Sequence, residues 1–190
     1  MKTQIKPALL ILLFFSLLTG LVYPMLIAGF AFVLFPDQAN GSLVVKQEQI
    51  IGSALIGQQF NEPQYFWGRL SATSGVPYNA SASGGSNFSA MNPKLEEQVK
   101  LRLNDLKNAD PENTLLVPVD LVTSSASGLD PNISVASAEF QAARIAKARG
   151  INLDQVTALI QEYTHERIFG MLGEKTINAL EINLALDEIK

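Results

Sequence analysis

A long, mostly apolar segment without charges lies near the N-terminus of this sequence. Residues 7–36 carry no charged side chain, and 23 of these 30 residues are apolar or aromatic. As a helix, residues 8–35 extend about 42 Å at 1.5 Å per residue, whereas the hydrocarbon core of a bilayer is about 30 Å thick. The pattern therefore predicts one transmembrane helix over residues 7–36 that spans the bilayer with tilt.

A cleaved signal peptide is the competing interpretation of this segment. Lys2 and Lys6 form a short basic region, and residues 8–18 have the length of the apolar core of such a peptide. However, the apolar run continues well past that length, and no small-residue cleavage pattern followed by a polar segment occurs before Phe35. A retained anchor is therefore the favoured interpretation.

Pro24 lies halfway along the predicted helix. Proline has no backbone N–H, so it leaves one carbonyl of the preceding turn without its helical partner. In lipid that carbonyl needs another partner, because no water is present to replace it. We therefore expect Pro24 to mark a kink or a contact with a neighbouring protein.

The distribution of charge predicts the orientation of the anchor. Lys2 and Lys6 precede it, and Asp37 is the first charged residue after it. The positive-inside rule then places residues 1–6 in the cytoplasm. Residues 37–190 are accordingly expected to form a single exported domain, which in a bacterium lies in the periplasm beside the inner membrane.

The exported part has the composition of a folded, acidic domain. Residues 37–190 contain 12 basic and 18 acidic side chains, a net charge of −6. Nucleic-acid binding needs a basic surface, so this balance argues against it. The chain has no Cys and one His, which excludes a disulfide scaffold, a thiol nucleophile and a multi-His metal site within one chain. We predict no metal site and no catalytic residues.

Turn residues and apolar periodicity predict an α+β fold for this domain. The helical signals are a start at Asn92-Pro93 with a stop at Asp110-Pro111, a segment from near Ser134 to Arg149 closed by Gly150, a capping box of Asn152 with Gln155, and an apolar stripe over residues 178–189. Short strands are expected at residues 43–45, 50–51, 54–56 and 65–67. The best strand is predicted at residues 115–122, where Pro118 restricts it to an edge or a bulge.

Two loops rich in small residues are the most unusual feature of the domain. Residues 71–92 carry six Ser, three Gly and three Asn, and residues 123–132 form a second Ser-rich turn. Loops of such length in compact domains are usually functional or disordered. If the two lie together, their hydroxyls and amides tie down each other's backbone. Two interpretations stay open: a flat docking surface for a partner, or an Ω-type loop stabilised by its own hydrogen bonds.

The motifs of common enzymes are weak in this sequence. Gly84-Gly85-Ser86 lacks the Lys that immediately follows the glycines of a P-loop, and the nearest downstream is Lys94. His165 is expected at the surface, at a polar helix end, and Trp67 in the core. A membrane-anchored periplasmic hydrolase that uses the Ser-rich loops and His165 is the alternative function, and a nucleotide-binding regulator is a third.

Motifs along nearly the whole chain carry a resemblance to a known family. They are Tyr23-Pro24, Gln38-Ala39-Asn40-Gly41-Ser42, Gly52-Ser53-Ala54-Leu55-Ile56-Gly57-Gln58, Tyr65-Phe66-Trp67-Gly68-Arg69, Ser71-Ala72-Thr73, Pro77-Tyr78-Asn79, Ala82-Ser83-Gly84-Gly85-Ser86-Asn87, Asn92-Pro93, Leu121-Val122-Thr123, Ala126-Ser127-Gly128-Leu129-Asp130, Ala146-Lys147-Ala148-Arg149 and Glu181-Ile182-Asn183-Leu184-Ala185-Leu186-Asp187. In these residues the chain resembles the C subunits of the bacterial Kdp potassium-transporting P-type ATPase. Leu70 departs from the family, which commonly has Pro after the Arg.

The resemblance implies a single-pass inner-membrane subunit of an ATP-driven potassium uptake complex. Its implied partners are a channel-like potassium-binding subunit, a P-type ATPase subunit and a very small membrane peptide. The resemblance also implies that catalysis resides in another subunit, and that this one acts as a catalytic chaperone that raises the ATP affinity of the pump.

Some descriptions of the family include ATP binding by this subunit. The predicted orientation places the domain on the side of the membrane without ATP, so we expect no tightly bound cofactor and an indirect nucleotide effect through the membrane helix. The residues expected to contact partners are Pro24, Arg69, Ser71, Tyr78, Asn79, Ser83, Gly84, Gly85, Asn87, Ser127, Gly128 and Asp130.

Overall fold

The structure is a computed structural model that describes residues 2–189, with side chains described from Gln4 onward. The chain divides into two compact units, and the division falls between Ile51 and Gly52. The first unit contains the apolar segment. The second contains the α+β body.

One long apolar helical segment makes up most of the first unit. Helix α1 (Lys2–Leu17) passes through a π-helical turn (Leu18–Val22) into α2 (Tyr23–Leu34). Within it, Gln4–Leu34 is long and apolar enough to cross a membrane, and none of its most apolar window is buried. The helix predicted over residues 7–36 is therefore present, although it begins before Pro7.

The helix is irregular beside Pro24. The backbone N–H of Tyr23 donates to the carbonyl of Leu18, five residues earlier, and Pro24 follows with no N–H to donate. Both π-turns and prolines are recognised causes of bends in helices. The π-helical turn thus ends two residues before Pro24, while a kink or a partner contact at Pro24 itself stays a prediction.

A short helix and a hairpin follow the apolar segment. Helix α3 (Pro36–Ala39) precedes strands β1 (Leu43–Lys46) and β2 (Gln49–Ser53), which pair with each other. The two residues between the strands, Gln47 and Glu48, both have positive φ values, of 50° and 64°. This is the conformation of a type I′ turn, which suits the twist of a two-residue hairpin. The strands predicted at residues 43–45 and 50–51 are confirmed.

The second unit is an α+β body, so the predicted fold class is confirmed. Its elements are a 3₁₀ turn (Ala80–Ala82), α4 (Pro93–Ala109), α5 (Val119–Val122), β3 (Asn132–Ser134), α6 (Val135–Arg149), α7 (Leu153–Glu162), β4 (Thr164–His165), β5 (Thr176–Asn178) and α8 (Ala179–Leu186). The strands form one antiparallel sheet in the order β3-β5-β4, with Ile133 opposite Ile177.

The predicted capping residues position the helices. Asn92 accepts a hydrogen bond from the backbone of Lys94 at the start of α4, and Asn152 forms the predicted capping box with Gln155 at the start of α7. Gly150 closes α6 with φ 67°, a left-handed conformation that glycine adopts without strain. These local signals fix the helix boundaries before any tertiary contact is made.

Two apolar clusters form the core, and the neighbouring residues Phe66 and Trp67 belong to different clusters. The larger cluster surrounds Phe66, Ile133 and Ile145, and it lies between the sheet and helices α6, α7 and α8. The smaller one holds Trp67 with residues of α4, α5 and α6. Trp67 is therefore a core residue, as predicted.

The prediction of a strand at residues 115–122 is wrong. Leu115 and Leu116 are 61% and 94% exposed, and Pro118 is the N-terminal cap of α5. The helix forms because the Asp120 carboxylate accepts hydrogen bonds from Ser134 and Ser137, which ties α5 to the start of α6. The buried apolar pair is then Leu121 with Val122 on one helical turn.

The strands predicted at residues 54–56 and 65–67 are also absent from the described part of the chain. The first is a tight turn in which Ile56 donates to the carbonyl of Ser53. In the second, the backbone of Phe66 and Trp67 bonds to side chains instead of a neighbouring strand. Of these apolar residues, Phe66 and Trp67 are buried whereas Leu55 is 63% exposed, and burial alone does not supply a strand partner.

Candidate functional site: a pair of hydrogen-bonded loops

The two loops rich in small residues lie against each other in the structure. Leu70, the residue that departs from the family pattern, forms a parallel bridge with Ser124. Further along, the backbone N–H of Gly84 and the hydroxyl of Ser83 both donate to the carbonyl of Ser127, at 2.9 Å and 3.0 Å. We call residues 69–87 together with residues 123–130 the loop pair.

Ser71 and Tyr78 connect the inner part of the loop pair. The Ser71 hydroxyl donates to the Gly128 carbonyl at 2.7 Å and accepts from the Tyr78 backbone N–H at 2.8 Å. The Tyr78 hydroxyl donates to the carbonyl of Arg69 at 2.6 Å. Burial raises the pKa of Tyr78 to about 12, so its hydroxyl stays protonated as a donor at neutral pH.

An ion pair joins the two loops at their base. Arg69 Nη1 is 3.1 Å from Asp130 Oδ2, and Arg69 Nη2 donates to the carbonyl of Ser124 at 3.3 Å. The other carboxylate oxygen of Asp130 accepts from the backbone of Asn132 at 3.0 Å. Among the described residues, Arg69 Nε is a buried donor without a hydrogen-bond partner.

Glycine is required at two positions where the loops approach most closely. A Cβ atom on Gly85 would lie 2.8 Å from the carbonyl oxygen of Ala126. Gly128 has φ 68°, and a Cβ atom there would lie 2.7 Å from the carbonyl oxygen of Gly84. Gly84 itself is different, because a Cβ atom there meets nothing within 4 Å. The backbones therefore pack directly, and Gly84 faces open space.

A small cavity of about 120 Å³ lies beside the loop pair. Its lining includes the predicted residues Arg69, Ser71 and Tyr78, together with Arg102 from α4, which the sequence analysis did not single out. Arg102 is spaced three residues after Val99 and four before Leu106. A cation at that spacing on an otherwise apolar stripe was the signal that would have identified it.

Arg102 is a buried cation that has no ion-pair partner within residues 4–189. Its guanidinium donates to the carbonyls of Leu121 and Gly68, each at 3.0 Å, and lies 5.0 Å from the centroid of the Trp67 ring. Burial lowers the pKa of Arg102. These bonds attach α4 to the residue that directly precedes Arg69, and so position the base of the loop pair.

The remaining predicted residues occupy the outer part of the loops or the other unit. Asn79 caps the 3₁₀ turn by accepting from Ser81 N at 3.0 Å. Asn87 is exposed with φ 50°. Apart from Pro24, which belongs to the first unit, all residues expected to contact partners therefore lie within the loop pair. Their contact with a partner is not tested by this geometry.

His165 is exposed, as predicted, but it lies in β4 and not at a helix end. Its Nε2 is 3.5 Å from Glu181 Oε2, and no Ser hydroxyl of the described chain bonds to it. Among residues 2–189 there is also no group of three or more His, Asp and Glu side chains that could hold a metal ion.

The fold and the loop pair together define a single-anchor α+β protein, with one helix able to cross a membrane and one body that presents a pair of tightly bonded loops. The family model of KdpC, the c chain of K⁺-transporting ATPase, matches residues 5–188. The chain belongs to this family, which confirms the resemblance carried by its motifs.

Relatives from several bacteria match this chain over nearly its full length. The chain is 55% identical over 190 residues to the potassium-transporting ATPase KdpC subunit of Herpetosiphon aurantiacus, covering 100% of this chain and 98% of that protein. It is 54% identical over 187 residues to the KdpC subunit of Variovorax paradoxus, covering 98% and 97%. The KdpC subunit of Methylococcus capsulatus is 53% identical, with 100% of both chains covered.

Proposed function

We propose that this chain is a non-catalytic accessory subunit of an ATP-driven potassium uptake complex, and that it docks on a partner subunit through the loop pair. In this role it assembles and stabilises the pump and raises the ATP affinity of the ATPase subunit. The potassium-binding, channel-like subunit is the proposed docking partner, with the P-type ATPase subunit and a small membrane peptide in the same complex.

The observation that carries the proposal is the mutual hydrogen bonding of the two loops. Because Ser71, Ser83 and Gly84 already bond to the opposite loop, little conformational entropy is left to lose when a partner binds. The outer surface consists of small residues such as Ala126 and Ser127, which are exposed. A partner backbone can therefore approach closely, which favours docking over the purely self-satisfied loop.

The same geometry supports an indirect effect on nucleotide affinity. A phosphate-binding loop needs backbone N–H groups that point at the ligand. The Gly84 N–H is already used by the Ser127 carbonyl, at 2.9 Å. Lys2 and Lys6, the basic residues before the apolar segment, favour an exported domain, on the side of the inner membrane without ATP.

A bulky side chain at Gly84 tests docking without disturbing the fold. Since a Cβ atom at Gly84 meets nothing within 4 Å, a side chain can leave the backbone there without a clash, and the unfolding transition of the body verifies that Gly84→Trp has folded. The ring should nevertheless prevent a partner from reaching the loop pair. Ala158→Trp, on the exposed face of α7, is the matched control for surface bulk.

We expect Gly84→Trp to reduce co-purification with the other subunits and potassium-stimulated ATP hydrolysis by about tenfold or more, as for other residues central to an interface. Ala158→Trp should assemble like the unmodified chain. Normal assembly of Gly84→Trp, with a folded body, would remove the loop pair as the docking site.

Orientation is tested with a single cysteine, because the natural chain has none. Ala158→Cys should react with a membrane-impermeant maleimide in spheroplasts that are intact. If it reacts only after the membrane is permeabilised, the domain faces the cytoplasm. The argument for an indirect nucleotide effect would then fail, although the family membership would stand.

A further inference from the structure

A hairpin extension connects β4 to β5 and takes no part in the loop pair. Within residues 166–175, the backbones of Ile168 and Leu172 exchange two hydrogen bonds, Ile168 N to Leu172 O at 2.9 Å and the reverse at 3.0 Å. Between them, Phe169 and Gly170 have φ values of 54° and 72°. Met171 N closes the turn on Ile168 O at 3.2 Å. The end of this extension is thus a defined turn.

This turn presents four large apolar side chains to solvent. Ile168, Phe169, Met171 and Leu172 are 64%, 86%, 77% and 61% exposed, and we call these four residues the apolar tip. Ile168 and Leu172 are cross-strand neighbours, so their side chains lie on the same face. Exposed large apolar residues scattered singly need no explanation, but a contiguous group of them marks an interaction site.

The backbone at the tip is costly to maintain. Positive φ is uncommon for a residue other than glycine, and it is least expected for a bulky side chain. Phe169 nevertheless adopts it, with its ring almost fully in solvent, so packing within this chain does not repay the strain. Strained residues of this kind persist where they serve a function.

The neck of the extension is polar and electrically balanced. Arg167 pairs with Glu174 at 2.8 Å, and Lys175 pairs with Glu166 at 2.8 Å. A segment that binds anionic lipid carries an excess of Lys and Arg, and this neck has none. An apolar centre within a polar rim is instead the composition of a protein–protein contact.

We propose that the apolar tip inserts into an apolar pocket on another protein subunit of the potassium-transporting ATPase, with the two ion pairs of the neck at the rim. The inference rests on the proposed assembly role, and it adds a second contact that is independent of the loop pair. Phe169 is the anchor, because it is an aromatic residue and the most exposed of the four, at 86%.

The first experiment places a charge at the tip of the full chain. Phe169→Asp should reduce recovery of the assembled complex by about tenfold or more, the size of effect typical for an anchor residue. Leu116→Asp is the matched control, since Leu116 is 94% exposed and lies outside the tip. Equal recovery of both variants would overturn the proposal. Fluorescence of the single, buried Trp67 verifies that the body has folded.

The second experiment tests whether the apolar tip contacts a protein or the lipid bilayer. The difference in emission between Phe169→Trp and the natural chain, measured in the same preparation, isolates the new indole, because the buried Trp67 is present in both. The full chain is reconstituted in vesicles of phosphatidylcholine and phosphatidylglycerol with brominated acyl chains. We expect no added quenching without the partner subunits, and a blue shift of the indole when the complex is assembled. Quenching without partners would assign the tip to the bilayer and refute the proposal.

The proposals for the loop pair and for the apolar tip can be refuted independently of each other. If Gly84→Trp blocks assembly and Phe169→Asp does not, the loop pair is the docking site and the tip inference is wrong. If only Phe169→Asp blocks assembly, the tip is upheld and docking through the loop pair is wrong. Normal assembly of both variants rejects both.

Discussion

Asn183 bonds to the backbone of Phe66 as a neighbouring strand would. Its Oδ1 accepts from Phe66 N at 2.7 Å, and its Nδ2 donates to Phe66 O at 3.0 Å. Gln141 does the same for Trp67, accepting at 2.8 Å and donating at 3.2 Å. Two side-chain amides, from α8 and α6, therefore bond to the backbone N–H and C=O groups of a buried segment that pairs with no strand of the described chain. This segment leads directly into the loop pair.

Asn183→Ala should destabilise the body strongly. The substitution leaves the N–H and the C=O of Phe66 buried without partners, and each such group costs about 1–3 kcal/mol. We expect the free energy of unfolding, measured in urea, to fall by roughly 2–6 kcal/mol. Asn61→Ala, at an exposed asparagine, is the control and should stay within about 0.5 kcal/mol of the natural chain. Similar losses for the two variants would contradict this account.

Arg144→Lys should not be tolerated as a conservative change. The Arg144 guanidinium lies 4.7 Å from the centroid of the Trp67 ring and donates to the carbonyls of Pro63 and Tyr65 and to the Gln141 side chain. Burial lowers the pKa of Arg144 to about 10, so it remains charged at neutral pH. A lysine ammonium cannot reproduce this planar fork.

We expect Arg144→Lys to lower the free energy of unfolding by about 2 kcal/mol, as when hydrogen bonds to a charged group are lost, and to shift the emission of Trp67. Lys147→Arg on the same helix, whose partner Glu112 is exposed, should be nearly neutral. A stable Arg144→Lys with unchanged emission would show that the stacking and the three hydrogen bonds are not needed.

Stability should fall at alkaline pH because of Tyr78. Burial raises its pKa from 10.0 to about 12 in the folded state. Below pH 10 both states are protonated and the full stability is present. As the pH rises from 10 towards 12, the unfolded chain loses the proton first, so stability is lost, by roughly 2 kcal/mol for a shift of this size.

The measurement for Tyr78 compares Tyr78→Phe with the natural chain across the same pH range. Phenylalanine cannot ionise, so the difference in unfolding free energy between the two proteins should shrink as the pH rises. Tyr65 and Tyr163, whose pKa values are also raised by burial, are present in both proteins and cancel. A difference that is constant with pH would exclude Tyr78 as the titrating group.

Gly128→Ala and Gly84→Ala should behave differently although both lie in the loop pair. At Gly128 the added methyl meets the Gly84 carbonyl oxygen and a Thr73 methyl at 2.7 Å, on a backbone with φ 68°. Unfavourable φ and close contact together should cost about 1–3 kcal/mol in unfolding free energy. Gly84→Ala meets no atom within 4 Å and should be nearly neutral. Equal effects would mean that the loops do not approach as described.

His165→Gln distinguishes the accessory subunit from a periplasmic hydrolase. In the docking proposal, His165 is an exposed residue 3.5 Å from Glu181, so assembly and potassium-stimulated ATP hydrolysis should be unchanged. A hydrolase that depends on this histidine would lose its activity. Loss of a measurable hydrolytic activity in the purified natural chain on making this change would favour the hydrolase.

The sequence predicts those parts of the fold whose signals are local. Asn92 with Pro93, Asn152 with Gln155, and Gly150 each satisfy backbone groups within a few residues, so their helix boundaries follow from the sequence. The apolar segment is likewise determined by its own length and lack of charge. The hydroxyls and amides of the two small-residue loops indicated that the loops could lie together, and the structure confirms that they do.

Residues 65–67 and 115–122 are segments whose secondary structure the local signals did not predict. Their apolar content predicts strands, but whether an apolar segment becomes a strand depends on which groups lie beside its backbone. For Phe66 that neighbour is Asn183, 117 residues away, and for Trp67 it is Gln141, 74 residues away. No residue pattern near positions 66 and 67 indicates such a partner. The spacing of apolar residues therefore cannot distinguish a strand from a segment whose backbone bonds to side chains.

Residue types and their spacing predicted the apolar helix, the capped ends of α4, α6 and α7, the α+β class and membership of the KdpC family, because each depends on residues close in the chain or on the motifs as a whole. The contacts of Arg102 and Arg144 with Trp67, the approach of Gly128 to Gly84 and the exposure of Phe169 became known only from the folded structure. These relationships join residues far apart in sequence, and they follow from packing, where the neighbours available in space select the conformation.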